Sequence, residues 1–137
     1  MAAVGNAGGE GTSLDILVVD DEPQMADLVG TYLERTDEIL RVSTATSASE
    51  GLEKLDDDVD CVISDYHMPQ MDGLRFLDRV ADRAPDAVRI LYTSDDDADV
   101  MVAARETGAD YVHKEVSAEQ YAAMAAHIRR RVGVDGT

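Results

Sequence analysis

Short apolar runs alternate with amphipathic segments along most of this chain, and that alternation restricts its fold more than any other feature. Five runs rich in β-branched residues cover residues 14–19, 39–44, 59–65, 87–93 and 109–113. Each run is followed by a segment with helical apolar spacing or helix-start signals. Strands that alternate with helices are typically parallel, joined by right-handed crossovers and covered by helices on both faces. We therefore predict an α/β fold with one five-stranded, parallel, doubly wound sheet.

Helix boundaries are marked by residues that satisfy the free backbone groups of a helix end. Pro23 follows acidic residues and suits a first helical position, where proline costs no hydrogen bond. Ser47 and Ser117 precede Glu50 and Gln120 by three residues, which is the spacing of a capping box. These signals predict where the helices between the strands begin.

The chain is predicted to form one domain, residues 13–132, with a disordered leader over 1–12 and a frayed tail over 133–137. The single cysteine, Cys61, excludes an internal disulfide and favours a reducing compartment. No apolar run approaches the ~18 residues of a membrane span, and the N-terminus lacks a signal-peptide pattern. We therefore expect a cytoplasmic protein that does not enter a membrane.

The charge is strongly acidic, with 29 acidic and 12 basic residues and a formal net charge of −17. Such a surface repels nucleic-acid phosphates and anionic membranes, so direct binding to either is disfavoured. The aspartate-rich, lysine-poor composition resembles that of proteins from salt-loving cells, in which high ionic strength screens the repulsion. Lys54 and Lys114 are the only lysines, so a lysine at a strand end indicates a specific role.

The carboxyl ends of parallel strands meet at one edge of a sheet, where open α/β proteins bind their ligands. In this chain that edge collects Asp20, Asp21, Asp65, Thr93 and Lys114. Asp65 taken alone is equally consistent with a simple turn, because aspartate favours turns. Three crowded carboxylates repel one another, however, and one lysine neutralises only part of their charge. Their oxygen ligands therefore predict a divalent cation such as Mg²⁺, Mn²⁺ or Ca²⁺.

This set of residues also suggests a reaction. A carboxylate beside such an ion and a lysine can attack phosphorus and form an aspartyl phosphate. The ion, Lys114 and the hydroxyl of Thr93 would then hold the phosphoryl oxygens, because phosphoryl transfer depends mainly on positioning and charge stabilisation. These residues therefore favour a phosphoryl-accepting carboxylate at this edge of the sheet.

Four motifs at the strand ends carry a family resemblance. They are Leu-Val-Val-Asp-Asp-Glu at 17–22, Asp-Tyr-His-Met-Pro-Gln-Met-Asp-Gly at 65–73, Thr93-Ser94, and Gly-Ala-Asp-Tyr at 108–111 leading to Lys114. In order and spacing, residues 14–131 resemble the receiver domain of a two-component response regulator. The resemblance implies a flavodoxin-like sheet with the strand order 2-1-3-4-5.

The resemblance implies that Asp65 accepts a phosphoryl group from a histidine of a sensor kinase or a phosphotransfer protein. It also implies a Mg²⁺ or Mn²⁺ site formed by Asp21, Asp65 and the backbone carbonyl of His67, with Asp20 acting through water. The chain would then be a phosphoacceptor domain that assists its own phosphorylation and dephosphorylation, rather than an enzyme acting on other substrates.

Contacts with the phosphoryl group are implied for Lys114, Thr93 and the backbone N–H groups near Tyr66 and Ser94. In the implied switch, Thr93 moves toward the phosphate and Tyr111 rotates inward behind it, although a static half-buried ring is an alternative for Tyr111. The face formed by the fourth helix, fifth strand and fifth helix would bind a downstream effector or output domain, or a second copy of the chain.

The chain departs from the family pattern at Glu115, where proline usually follows the lysine, often in a cis peptide. A cis bond before a non-proline residue costs ~3 kcal/mol, so we predict a trans peptide and a loop that is held differently. His67 and Asp95 flank the mouth of the site, at positions that in the family tune the lifetime of the phosphate.

Two other functions fit parts of the sequence. A pseudo-receiver would keep the fold as a docking module without being phosphorylated, but such proteins normally lack the acceptor or one of the acids. A phosphohydrolase with an aspartyl nucleophile would place nucleophile and acid two residues apart on the first strand, where Asp20 has Glu22. Labelling with acetyl phosphate or beryllofluoride and Mg²⁺ separates the phosphoacceptor from the pseudo-receiver.

Overall fold

The computed structural model describes residues 13–134. Strands and helices alternate along them as β1 (Leu14–Val19), α1 (Pro23–Thr36), β2 (Leu40–Ala45), α2 (Ala48–Lys54), β3 (Val59–Ser64), α3 (Gly73–Arg83), β4 (Val88–Thr93), α4 (Ala98–Glu106), β5 (Asp110–His113) and α5 (Ala118–Val132). The predicted leader, residues 1–12, lies outside the described residues, and so do residues 135–137 of the predicted tail. No helix within 13–134 is long and apolar enough to cross a membrane.

The strands form one parallel sheet in the order β2-β1-β3-β4-β5. This arrangement confirms the predicted five-stranded doubly wound sheet and its order 2-1-3-4-5. Three strands, β2, β4 and β5, start one residue later than the apolar pattern predicts. Local turns explain two of these shifts, because Ile39 donates its N–H to the Asp37 carboxylate and Ala87 donates its N–H to the Ala84 carbonyl.

Helices cover both faces of the sheet, and each face buries its own apolar layer. The first layer lies between the sheet and helices α1 and α5, and the second lies between the sheet and helices α2, α3 and α4. Successive residues of a strand point to opposite faces, so Ile16 and Ile63 enter the first layer while Leu17 and Val62 enter the second. Strands buried on both faces explain the unbroken apolar runs of the sequence.

The predicted serine caps are present, but the reciprocal half of each capping box differs. Oγ of Ser47 accepts the N–H of Glu50 at 3.0 Å, and Oγ of Ser117 accepts the N–H of Gln120 at 3.1 Å. The Glu50 carboxylate accepts the N–H of Thr46 at 2.7 Å rather than that of the cap serine. The side chain of Gln120 likewise bonds to the loop ahead of its helix, next to the candidate site.

Helix α5 ends in a left-handed glycine cap. Gly133 has φ = +89°, a conformation that glycine adopts without the steric cost of a Cβ. The backbone N–H groups of Gly133 and Val134 both donate to the carbonyl of Arg129. The first two residues of the predicted tail therefore close the last turn of α5.

Candidate functional site

Three aspartates lie together at the carboxyl edge of the sheet. Asp20 and Asp21 directly follow β1, and Asp65 directly follows β3. Val19 pairs with Ser64 in these adjacent strands, so the chain leaves both strands at the same level. One carboxylate oxygen of each aspartate lies within 4.8 Å of those of the other two. The structure thus brings these three predicted site residues into one cluster.

Lys114, which follows β5, places its ammonium between two of these carboxylates. Its Nζ lies 3.1 Å from Oδ2 of Asp20 and 3.3 Å from Oδ2 of Asp65. Burial by itself lowers the pKa of Lys114, but attraction to Asp65 and Asp20 outweighs burial and holds that pKa above its ordinary value. Lys114 is therefore charged at neutral pH. One ammonium beside three carboxylates leaves a surplus of negative charge in the cluster.

Asp20 and Asp65 differ in their surroundings. The side chain of Asp20 is 5% exposed, and burial raises its pKa in spite of hydrogen bonds from the Glu22 N–H and from Lys114. The side chain of Asp65 is 14% exposed, with Oδ2 facing Lys114 and Oδ1 accepting the N–H of Tyr66 at 2.6 Å. Asp65 is thus held from two sides and still reaches solvent, which a carboxylate must do to react with an incoming group.

The donor set fits a hard divalent cation. All three candidate ligands are carboxylate oxygens, which suit Mg²⁺, Mn²⁺ and Ca²⁺ better than metals that prefer thiolate. An open cavity of about 420 Å³ adjoins the cluster at Asp21. Its lining residues are Asp21, Tyr66, His67, Met68, Pro69 and Asp72. A cation bound there would offset the surplus negative charge of the cluster.

Thr93 ends the next strand, β4, at the same edge of the sheet, and Ser94 follows it directly. Thr93 is fully buried, and its Oγ1 accepts the N–H of Asp95 at 3.2 Å. The backbone carbonyl of Thr93 accepts the N–H of Lys114 at 2.8 Å, which ties the ends of β4 and β5 together. Ser94 is exposed. Within residues 13–134, no hydrogen bond joins either hydroxyl to the aspartate cluster.

Asp95 connects three segments at the mouth of the site. Its Oδ2 lies 2.8 Å from Nε2 of His67, on the loop after β3, so this imidazole contacts Asp95 on the far side of the mouth. The hydroxyl of Tyr111, on β5, donates to the backbone carbonyl of Asp95 at 2.5 Å. Hydrogen bonds from the Asp97 N–H and from His67 lower the pKa of Asp95. The sequence placed His67 and Asp95 at this mouth, but these contacts emerge only in the structure.

The ring of Tyr111 packs inward. It is half-buried and lies against the second apolar layer, between the sheet and helices α2, α3 and α4. Its hydroxyl is held by Asp95, on the loop that follows Thr93. A half-buried ring with a bonded hydroxyl fits the static alternative for Tyr111 as well as the predicted switch.

Gln120 is a site-supporting residue that sequence reasoning missed, because its only signal was its spacing from Ser117. Its side-chain Oε1 accepts the N–H groups of Glu115 and Val116, at 3.0 and 3.2 Å, in the loop that follows Lys114. The described residues contain no cis peptide bond, which confirms the trans peptide predicted before Glu115. The loop is held by a glutamine side chain instead of a proline.

Gly73, the first residue of α3, allows the closest backbone approach to Asp65. Its N–H donates to the carbonyl of Tyr66 at 2.8 Å. A Cβ at this position would lie 2.0 Å from the backbone oxygen of Asp65. The Asp72–Gly73 turn therefore packs α3 directly against the backbone that carries Asp65, and only glycine fits there without a shift.

Comparison with known proteins agrees with this geometry. The family model described as the response regulator receiver domain matches residues 16–126. The chain is 34% identical over 135 residues to the two-component response regulator ORR21 of Oryza sativa subsp. japonica, covering 96% of this chain and 19% of that protein. It is 32% identical over 130 residues to protein-glutamate methylesterase/protein-glutamine glutaminase 3 of Rhodopseudomonas palustris (strain BisB18), covering 85% of this chain and 36% of that protein.

A solved structure has nearly the same extent as the described chain. The crystal structure of a response regulator receiver domain protein from Clostridium thermocellum aligns with a TM-score of 0.77 at 29% identity, covering 90% of this chain and 97% of that one. The chain spans between 17% and 23% of the length of the rice regulators that it matches. The similarity to those proteins is therefore limited to one segment of each.

Proposed function

The chain belongs to the response regulator receiver domain family, whose members act in two-component phosphorelay signalling, and we propose that Asp65 is its phosphoryl acceptor. The observation that carries this proposal is the position of the Asp65 carboxylate, 3.3 Å from the Lys114 ammonium within the aspartate cluster. Asp20 also contacts Lys114 but is more deeply buried, and Asp21 has no described contact with that ammonium. Asp65 alone of the three combines exposure with contact to the positive charge.

The reaction is a transfer between a histidine and an aspartate. A carboxylate oxygen of Asp65 attacks the phosphorus of a phosphohistidine on a sensor kinase or phosphotransfer protein. An oxygen–phosphorus bond forms while the phosphorus–nitrogen bond breaks, and the histidine nitrogen leaves with the electron pair and takes up a proton. Lys114 balances charge on the phosphoryl oxygens. Further contacts with them come from Thr93 and from the backbone N–H groups near Tyr66 and Ser94.

The resident metal is proposed to be Mg²⁺, with Mn²⁺ as a substitute. Asp21, Asp65 and the backbone carbonyl of His67 would hold it, and Asp20 would act through a bound water. When bound, a divalent cation neutralises part of the charge on the transferring phosphoryl group. Support comes from the three carboxylate oxygens within 4.8 Å of one another and from the open cavity that Asp21 and His67 line.

Phosphorylation is proposed to act on the mouth of the site. Thr93 would move toward the phosphoryl group, and its Oγ1 would then release the N–H of Asp95 that it now accepts. The backbone carbonyl of Asp95 also accepts the hydroxyl of Tyr111. A movement of Thr93 would therefore affect the Tyr111 ring through Asp95. Supporting this coupling, the three residues already form one continuous chain of hydrogen bonds.

The proposed output surface is the face formed by α4, β5 and α5. Val102 of α4 and Val116 before α5 are the exposed large apolar residues of the described chain, at 50% and 42% exposure. We assign this face to a downstream effector or output domain, or to pairing with a second copy of the chain. Direct nucleic-acid binding is disfavoured by the net charge of −17, and we expect the domain to work in the cytoplasm.

Acetyl phosphate supplies the decisive test. Incubation with acetyl phosphate and Mg²⁺ should add about 80 Da, the mass of one phosphoryl group, to the intact protein. The variant Asp65→Asn and an excess of EDTA should each abolish the adduct. The control Asp96→Asn removes an exposed aspartate outside the cluster and should be labelled at the wild-type rate.

Two results would redirect this assignment. A wild-type protein that gains no adduct would indicate the pseudo-receiver, a docking module that is never phosphorylated. An adduct that persists in Asp65→Asn would move the acceptor to another residue of the cluster.

A further inference from the structure

The loop after Lys114 follows a path that its own residues do not favour. Val116 has φ = +55°, a left-handed conformation that a β-branched residue rarely adopts. Such a conformation persists only where surrounding groups hold it. Because Val116 is two residues beyond Lys114, the groups that hold Val116 also influence where the backbone of Lys114 lies.

One side chain brackets Lys114 on both sides. Oε1 of Gln120 accepts the N–H groups of Glu115 at 3.0 Å and Val116 at 3.2 Å. Nε2 of the same amide donates to the carbonyl of His113 at 2.6 Å. Because the amide has backbone donors on one side and a backbone acceptor on the other, its orientation is determined by its partners.

The same amide also supports the charged end of Lys114. The hydroxyl of Tyr92 donates to Oε1 of Gln120 at 2.5 Å, and burial raises the pKa of Tyr92 above its ordinary value. The Lys114 Nζ lies over the ring of Tyr92, 5.5 Å from its centroid, within the range of a cation–π contact. Gln120 therefore contacts the backbone beside Lys114 and also the residue whose ring supports the ammonium.

We propose that Gln120 is a positioning residue for phosphorylation and acts through Lys114; the inference rests on the proposed role of Asp65 as acceptor. Gln120 has no described contact with the aspartate cluster, so it does not take part in the transfer itself. The Lys114 ammonium stands 3.1 and 3.3 Å from Asp20 and Asp65, and a displacement of about 1 Å at such a site can slow a reaction about 100-fold.

The test measures the rate at which acetyl phosphate with Mg²⁺ labels Asp65, followed by intact mass, in two variants of Gln120. Gln120→Leu removes every side-chain hydrogen bond of this residue at similar volume. Gln120→Glu keeps an acceptor for the N–H groups of Glu115 and Val116 but loses the donor to His113. We expect Gln120→Leu to slow labelling about tenfold, with the rate of Gln120→Glu between those of Gln120→Leu and the wild type.

Two controls separate positioning from loss of stability. Ile128→Val shortens a fully buried side chain of α5 without touching the loop, so it should lower the melting temperature and leave the labelling rate unchanged. In a Lys114→Ala background, Gln120→Leu should slow labelling by less than about twofold, because residues that act through one another are not additive.

The labelling rates distinguish a failure of the role proposed for Gln120 from a failure of the role proposed for Asp65. The proposed role of Gln120 is refuted if Gln120→Leu is labelled as fast as wild type or as Ile128→Val. It is also refuted if Gln120→Leu slows labelling by the same factor in the wild-type and the Lys114→Ala backgrounds. If Lys114→Ala leaves no measurable labelling, the comparison of Gln120→Leu, Gln120→Glu and Ile128→Val decides. A wild-type protein without label at Asp65 would instead refute the phosphoacceptor role on which the inference rests.

Discussion

Replacing Gly73 with alanine is expected to disturb the fold and the site together. On the present backbone the new Cβ would lie 2.0 Å from the carbonyl oxygen of Asp65 and 2.9 Å from Cα of Tyr66. Both obstructing atoms belong to the backbone, so no side-chain rotation relieves the clash. The start of α3 and the segment carrying Asp65 must therefore separate by about 1 Å, since atoms not bonded to each other pack at about 3 Å or more.

The magnitude follows from two opposing effects. Overpacking a closely packed position costs about 1–3 kcal/mol, and a clash with backbone belongs at the upper end of that range. Alanine recovers up to about 1 kcal/mol of helix propensity relative to glycine. The net loss of about 2 kcal/mol should lower the melting temperature of a domain of this size by about 8 °C. Labelling of Asp65 by acetyl phosphate should slow between about 10- and 100-fold, because the carboxylate is displaced.

Thermal unfolding by circular dichroism and labelling followed by mass provide the two readouts. The matched control is Gly30→Ala in α1, whose Cβ would meet a methyl of Val42 at 3.0 Å, a side-chain atom that can move. That variant should be labelled at the wild-type rate. A Gly73→Ala protein that melts within about 2 °C of wild type and is labelled equally fast would refute the close-approach argument.

Two further predictions concern charge. A hydrogen bond from Arg129, with a second from the Ile39 N–H, lowers the pKa of Asp37 below its ordinary value of 3.8. The ionised carboxylate therefore stabilises the fold at any pH above 3.8. This contribution is lost as the pH falls through the lower pKa of the folded state. Asp37→Asn should therefore lower the free energy of unfolding by about 1–2 kcal/mol at pH 7. Urea titrations should show the difference in stability between wild type and variant shrinking below about pH 4. A stability difference that is independent of pH would contradict this linkage. Raising NaCl from about 0.01 M to about 1 M shortens the Debye length from about 30 Å to about 3 Å and should raise the melting temperature of a chain with a net charge of −17. An unchanged melting temperature would count against the salt-adapted composition.

The sheet could be predicted because its sequence signal is local. Adjacent residues such as Ile16 and Leu17 enter opposite apolar layers, so a strand covered on both faces must be apolar throughout. Strand starts were less accurate, because hydrogen bonds such as that from Ile39 to the Asp37 carboxylate keep an apolar residue in the preceding turn. An apolar pattern contains no information about such a bond.

The aspartate cluster could be predicted for a related reason. In a parallel sheet every strand ends at the same edge, so knowing that Asp65 and Lys114 each follow a strand is enough to place both at that edge. Which oxygen faces the ammonium, and how much of each carboxylate reaches solvent, depends on the packing of the loops. These details are the reason that Asp65, rather than Asp20, is the proposed acceptor.

The fold class and the set of residues at the carboxyl edge follow from local sequence, because periodicity and strand ends are properties of short segments. The strand order follows from the family resemblance. The contacts that hold the mouth of the site and the loop after Lys114 come from the three-dimensional packing. Asp95 meets His67 28 residues away, and Gln120 meets Tyr92 across the same separation. Such contacts depend on how one loop packs on another and how α5 packs on the sheet, and no spacing within a single segment reports that geometry.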